Sequence, residues 1–230
     1  MAEPPPAIHC RYCKIVDFAI EPSITGRKEN RMTKTELREV LEFEGKIYAE
    51  IMGSSKKQRL IKIVKCHPDY YTWRYVKSLR KAGYFYSNRE KNLLMGLLYL
   101  WACRKKNKLG RKLGIEMNEK TCGKGLVIYH TQGIVVNGNT EIGEGLILHG
   151  NNCIGTDGIT KDCPVIGNHV RLGVGAKVLG GVHIADNVVI AAGAVVVHTC
   201  EEENVVLAGV PAKIVKRHNI QNPAGSAEMI

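Results

Sequence analysis

In the stretch VIYHTQGIVVNG, residues 127 to 138, His130 puts an ionisable ring six residues before Val136, in a region where positions six apart are otherwise aliphatic. Imidazole titrates near neutrality. Such a ring is either a buried histidine hydrogen-bonded to backbone or a base that takes the proton of a hydroxyl, a poor nucleophile at neutral pH. His149 follows 19 residues later, and Asp157 and Asp162 lie in the irregular stretch GTDGITKDCP. Cys163 in the same stretch reads as an inert small residue before its proline, with a thiol nucleophile as the alternative. LGVGAK (172 to 177) and IAAGAV (190 to 195) are rich in Gly and Ala. They suit tight corners of the chain, or backbone amides left open to an extended ligand. Lys213 in GVPAKIVKR, with Lys216 and Arg217, offers charge-assisted donors to phosphate groups or forms a basic cap on solvent. His9, Cys10 and Cys13 look like half a zinc site, but no second pair follows at suitable spacing, so no metal is expected.

These residues need elements to hold them. A chain of 230 residues, 44% hydrophobic, can build one large domain or two small ones. The start, MAEPPPAIHCRYC, lacks the basic and apolar segments of a secretory signal, and the longest apolar run, residues 93 to 103, is too short to cross a bilayer. Eight cysteines then read as thiols in a reducing cytoplasm, without disulfides. The net charge of +11 is uneven: residues 56 to 112 hold 17 Lys or Arg against two acids, Asp69 and Glu90, whereas residues 113 to 230 hold eight against eleven acids. Residues 1 to 31 read as a flexible leader, with Met32 as an alternative natural start. Thr33 and Glu36 form a capping-box pattern, and helical spacing runs from there to a break at residues 53 to 55. It resumes from 56 to 113, with Tyr and Trp interleaved among the basic residues. The basic helical domain is therefore set at 32 to 113.

After Gly114 a six-residue period appears: Val136, Ile142, Leu148, Ile154, Thr160, Ile166, Leu172, Val178, Ile184, Ile190 and Val196, ten of eleven aliphatic. The next residue is Gly or Ala in six cases. Six matches neither the 3.6 period of a helix nor the 2 of a strand. It fits a solenoid of short strands on flat faces, each inward aliphatic side chain stacked on its counterpart one coil away. Small residues beside it would let the chain turn sharply, with Gly or Asn taking positive φ there. Three faces give coils of 18 residues near 130 to 147, 148 to 165, 166 to 183 and 184 to 201. His149 then lies one coil plus one residue beyond His130, beside it on the next level.

The hexads, with GVGAKVLGGVHIADNVVIAAGAVV and the closing LAGVPAKIVK, resemble the hexapeptide-repeat acyltransferases, specifically their serine acetyltransferase-like branch. The resemblance spans residues 114 to 217. It implies an α+β architecture: an α-helical N-terminal domain, then a left-handed parallel β-helix and a short C-terminal cap, packed as a homotrimer, with residues 218 to 230 as a disordered tail. It makes His130, in HTQGIVV, the general base that deprotonates an acceptor hydroxyl for attack on the acetyl-CoA thioester. It puts Gly155, Thr156, Gly173, Val174, Ala191, Ala192 and Lys213 on the CoA, and His149, Asp157 and Asp162 at the acceptor.

Three departures bear on the acceptor. Asp162-Cys163-Pro164 stands where serine acetyltransferases carry Arg-His-Pro, Tyr129 stands where an aspartate precedes the histidine, and the acid that would orient the base aligns at Ile115, one residue from Glu116. With neither cation of that loop present to meet serine's carboxylate, the expectation is an acetyl-CoA-dependent O-acetyltransferase acting on a sugar or polysaccharide precursor. It would be similar to cell-surface polysaccharide O-acetyltransferases. Serine O-acetyltransferase is the alternative, and a non-catalytic trimeric scaffold is the reading from a different class. The basic helices suit peripheral contact with an anionic membrane at its inner face, or simply a solvated face. No recognised nucleic-acid motif accompanies the charge.

Overall fold

The computed structural model describes residues 31–53 and 55–218. The leader and tail, apart from Arg31 and His218, and the His9, Cys10 and Cys13 group lie outside the described residues. The described residues belong to one compact unit. It opens with helices α1 (Lys34–Met52), α2 (Lys56–Val64), α3 (Pro68–Asn88) and α4 (Leu93–Leu113). The capping box forms as read: Glu36 N donates to Thr33 Oγ1 at 3.1 Å, and Thr33 N donates to the Glu36 carboxylate at 2.7 Å. Helical spacing alone did not separate the last three helices. Pro68 opens α3 at a position where a missing N–H costs nothing, and Asn92 caps α4 by accepting from Met95 N.

Gly114, in the left-handed conformation, ends α4, and the chain passes directly into a three-sided stack. One face holds β1 (Ile115–Met117), β3 (Ile134–Val136), β6 (Cys153–Gly155), β9 (Lys177–Leu179) and β12 (Val195–Val196). A second holds β4 (Glu141–Ile142), β7 (Val165–Ile166) and β10 (His183–Ile184). The third holds β2 (Val127–Ile128), β5 (Ile147–Leu148), β8 (Arg171–Leu172), β11 (Val189–Ile190), β13 (Val205–Gly209) and β14 (Ala212–Arg217). Neighbouring strands are parallel except for the closing β13–β14 hairpin, which caps the stack. This is the arrangement of a left-handed β-helix preceded by helices, as expected.

The aliphatic series lies inside, with Val136, Leu148, Ile154, Leu172, Ile184 and Ile190 at most 3% exposed. Thr160 is the exception, because residues between β6 and β7 leave the wall as an exposed loop. Two details differ from the sequence reading. The glycine after the aliphatic residue does not take positive φ; it is needed because the next coil passes too close. A Cβ on Gly143 would stand 2.8 Å from the Gly167 carbonyl oxygen. The left-handed residue comes two positions later, as at Gly145 (φ 73°) and Asn187 (φ 58°). The second difference concerns the first coil. Ile128, not His130, holds the inward position paired with Leu148.

The helices are sewn to that first coil by buried charge. Arg80 on α3 donates to Glu44 on α1 at 2.7 Å and to the Cys122 and Gly123 carbonyls. Glu44 also accepts from the Gly125 and Leu126 amides. Tyr48 offers its hydroxyl oxygen to Ile128 N at 2.9 Å, while Lys106 on α4 pairs with Glu119 and donates to the Met117 carbonyl. Removing one partner of such a pair strands the other charge in a dry site. Arg80→Ala should therefore lower unfolding stability by about 3–5 kcal/mol, read from the urea midpoint at unchanged m-value.

Candidate active site

Eight residues separate the inward Ile128 from Val136, whereas six separate Leu148 from Ile154 and Leu172 from Val178. The two extra residues make the corner between β2 and β3 bulge. They carry Gln132 and Gly133 through consecutive left-handed conformations, at φ 79° and 69°. Gln132 N donates to the Leu113 carbonyl and Ile134 N to that of Gly114, so the end of α4 pins the bulge. His130 sits on it with its side chain exposed. The next coil meets it at Gly150, φ 107°, where a Cβ would lie 3.0 Å from the His130 Cβ. Asn152, fully buried, accepts from Gly150 N at 2.9 Å and donates to the Gly173 carbonyl at 2.8 Å. It thereby locks the corner beneath the ring.

His130 opens into a cavity of about 470 Å³, lined also by Thr131, Gln132, Gly133, His149, Gly150, Asn151 and Val174. The expected neighbour, His149, is therefore present. Its ring stacks on Tyr129, with centroids 4.9 Å apart and planes 18° apart. Burial pushes the His149 imidazole below its ordinary value, aided by the nearby Arg171 and His130. Its Nε2 is buried with no hydrogen-bond partner among the described residues. No carboxylate pairs with the His130 ring among the described residues. Ile115 is buried, and Glu116 lies exposed on β1 opposite Val135.

Gly173 and Ala191 continue the column below His149 through coil-to-coil hydrogen bonds, and each is followed by its partner at the corner, Val174 or Ala192. All four thus run in a strip leading away from His130, in which Val174 is the one larger side chain. For Gly173 the structural requirement is sufficient by itself, since a Cβ would stand 2.6 Å from Ala192 N. The remaining candidates are not brought to this corner within one chain. Gly155 and Thr156 lead into the exposed loop, and Asp157 caps that loop by accepting from Ile159 and Thr160 amides, which hold its carboxyl low. Asp162 lies against Gly181. The loop bridges the first and second faces, whereas His130 bridges the third and first, so these residues occupy a different corner. Burial raises the Cys163 thiol, in keeping with the inert reading. Lys213 lines a second hollow with His198, Thr199 and Glu202 rather than the first, and Arg217 is paired with Glu202.

Sequence reasoning missed Asn152 and Arg171. Asn152 was detectable as an amide in a corner series otherwise filled by Ile134, Ala176 and Ala194, all buried. Arg171 gave no signal, because its proximity to His149 arises only between coils.

The three-sided stack of hexads with its histidine-bearing bulge can be compared with known proteins. Residues 163–198 match the family model described as bacterial transferase hexapeptide (six repeats). The chain is also similar to serine acetyltransferases. That of Helicobacter pylori (strain ATCC 700392 / 26695) is 44% identical over 86 residues, 36% of this chain and 50% of the relative. The crystal structure of serine acetyltransferase from Brucella abortus strain S19 superposes with a TM-score of 0.64 at 21% identity, covering 81% of this chain and 71% of that one. Its complex with coenzyme A gives 0.58 at 22%, covering 81% and 70%. At those identities the superpositions show the fold. The chain spans about half the length of the curated relatives it matches. These relatives carry the serine acetyltransferase part of the expected resemblance; none of them carries the polysaccharide part.

Replacing Arg171 by Met removes one of the charges that disfavour protonation of His149. The His149 ring titration should move up toward the ordinary histidine value, as followed by NMR of the imidazole nitrogens.

Proposed function

We propose that the protein transfers acetyl from acetyl-CoA to a hydroxyl, with His130 as general base. The observation that carries this reading is the exposed His130 ring, held out of the wall by two extra residues at the head of a strip of Gly and Ala. In the proposed step His130 takes the acceptor's proton while the hydroxyl oxygen attacks the thioester carbonyl. The tetrahedral oxyanion needs a fixed donor, and the Val174 N–H is a candidate, since it borders the cavity and enters no coil-to-coil hydrogen bond among those described. The C–S bond then breaks, and the thiolate receives the proton from the imidazolium, leaving CoA as free thiol. Gly173, Val174, Ala191 and Ala192 are the proposed contacts of the pantetheine arm. For Lys213 a role at the CoA phosphates would require the donor to extend down to the closing hairpin.

Serine is the acceptor these observations support better. The curated relatives are serine acetyltransferases, and Arg171 supplies near His149 a cation that the 162–164 loop does not. A sugar hydroxyl is the second reading, favoured by Asp162-Cys163-Pro164 in place of the Arg-His-Pro segment of serine acetyltransferases. A homotrimer belongs to the proposal because Asp157 and Asp162 would reach a His130 corner only from a neighbouring copy. Light scattering should then give three times the 25.5 kDa chain mass.

The protein is incubated with acetyl-CoA and either L-serine or sugar acceptors, and free thiol is followed. Serine should turn over, with KM raised in Arg171→Met; turnover with sugars alone would transfer the assignment to the second reading. His130→Ala should reduce turnover by about 10²–10⁴-fold, and an unchanged rate would remove His130 as base. If no acceptor reacts and acetyl-CoA does not bind, the scaffold reading takes its place.

A further inference from the structure

Helix α4 leaves a long apolar face uncovered. Leu93, Leu94, Leu97, Leu100 and Trp101 on α4 are 47 to 80% exposed, while the opposite side of the helix buries Ala102, Lys106 and Gly110. Beyond Trp101 the exposed positions are Asn107 and the cations Arg104, Lys105, Lys108, Arg111 and Lys112. No acid occurs between Glu90 and Glu116. A solvated basic face would explain the cations but not a run of large apolar side chains turned to water. Elsewhere in the basic segment the interleaved aromatics meet their cations internally: Lys77 stands over Trp73, Arg74 over Tyr70 and Tyr71, and Arg89 over Tyr86. On the apolar half of α4 Leu93, Leu94, Leu97 and Leu100 stay exposed.

We propose that α4 is a docking helix for an anionic lipid surface, its 93–101 half settling into the headgroup boundary and its 104–112 half meeting acidic headgroups. Trp101, with the Lys105 ammonium 5.1 Å above its ring, supplies the amphipathic tip such a boundary favours. No helix among the described residues is long and apolar enough to cross a membrane, so the contact is peripheral. Charge selects this occupant over a second copy of the chain. A two-fold pairing of α4 with itself would bring exposed cations from both helices together without an acid between them, whereas acidic lipids supply the missing sign. The acidic residues Glu36, Glu39, Glu42 and Glu50 lie on α1, which packs on α3. Acetyl transfer plays no part in this docking.

The full chain is sedimented with phosphatidylcholine vesicles and with vesicles of phosphatidylcholine mixed with phosphatidylglycerol, at low and high salt. Pelleting is expected with the anionic vesicles alone and should weaken as salt rises. Leu97→Glu combined with Trp101→Glu, and separately Lys105→Glu with Lys108→Glu, should each reduce it by at least about tenfold. Circular dichroism melts unchanged from the parent chain establish that these surface variants are folded. Tryptophan emission should shift to the blue on anionic vesicles, and Trp101→Phe, which leaves Trp73, should abolish the shift. Absence of pelleting, or pelleting untouched by the α4 substitutions in folded variants, overturns the proposal. So does a fall in solution mass on Leu97→Glu without vesicle binding, which would assign the face to a second copy.

Discussion

Stacking of one aliphatic side chain on its counterpart a coil away is the contact on which the rest of the molecule depends. The inward columns are dry, and parallel strands on all three faces satisfy their backbone groups with the coils above and below. Each coil therefore has little freedom in position along the axis. Where the chain follows the hexad, corners are tight enough to exclude even a Cβ, as at Gly143 and Gly173. A residue counted into an inward column can reach solvent only where that rule is broken.

The candidate site is such a break. Two additional residues after Ile128 lift His130 from the wall, and the surrounding coils are adapted to hold the bulge. Gly150 allows close approach, Asn152 satisfies the backbone around it, and the end of α4 supplies carbonyls to Gln132 and Ile134. The His130 ring is thus positioned by backbone geometry, and no acid among the described residues pairs with it. The second irregularity, the exposed loop that displaces Thr160, stands at another corner, which is why Asp157 and Asp162 do not meet His130 within one chain.

The helices contribute in two ways. Their inner faces bury charge pairs that grip the first coil, Arg80 with Glu44 and Lys106 with Glu119, so the coil bearing His130 is braced at the end of the stack. Buried pairs of this kind cost desolvation and are justified by fixing register rather than by net stability. Their outer faces hold most of the positive charge, part of it stacked on Tyr and Trp rings and part left free along α4.

The period of six, read from residues such as Ile142, Leu172 and Ile190, determined the solenoid, because burial of one side chain per face leaves a mark on every repeat. The capping box at Thr33 and the stop at Gly53 were equally legible, being satisfied within one turn of chain. Extending the period back to His130 misassigned that residue to the inward column, since counting by six cannot register a two-residue bulge. The proximity of Arg171 to His149, the stacking of Tyr129 on His149 and the separation of Asp157 from His130 were decided only by tertiary structure. Sequence carries what recurs along the chain or closes within a turn of it. Which side chains from different coils share a corner depends on the rotation accumulated between them, and that is set by packing.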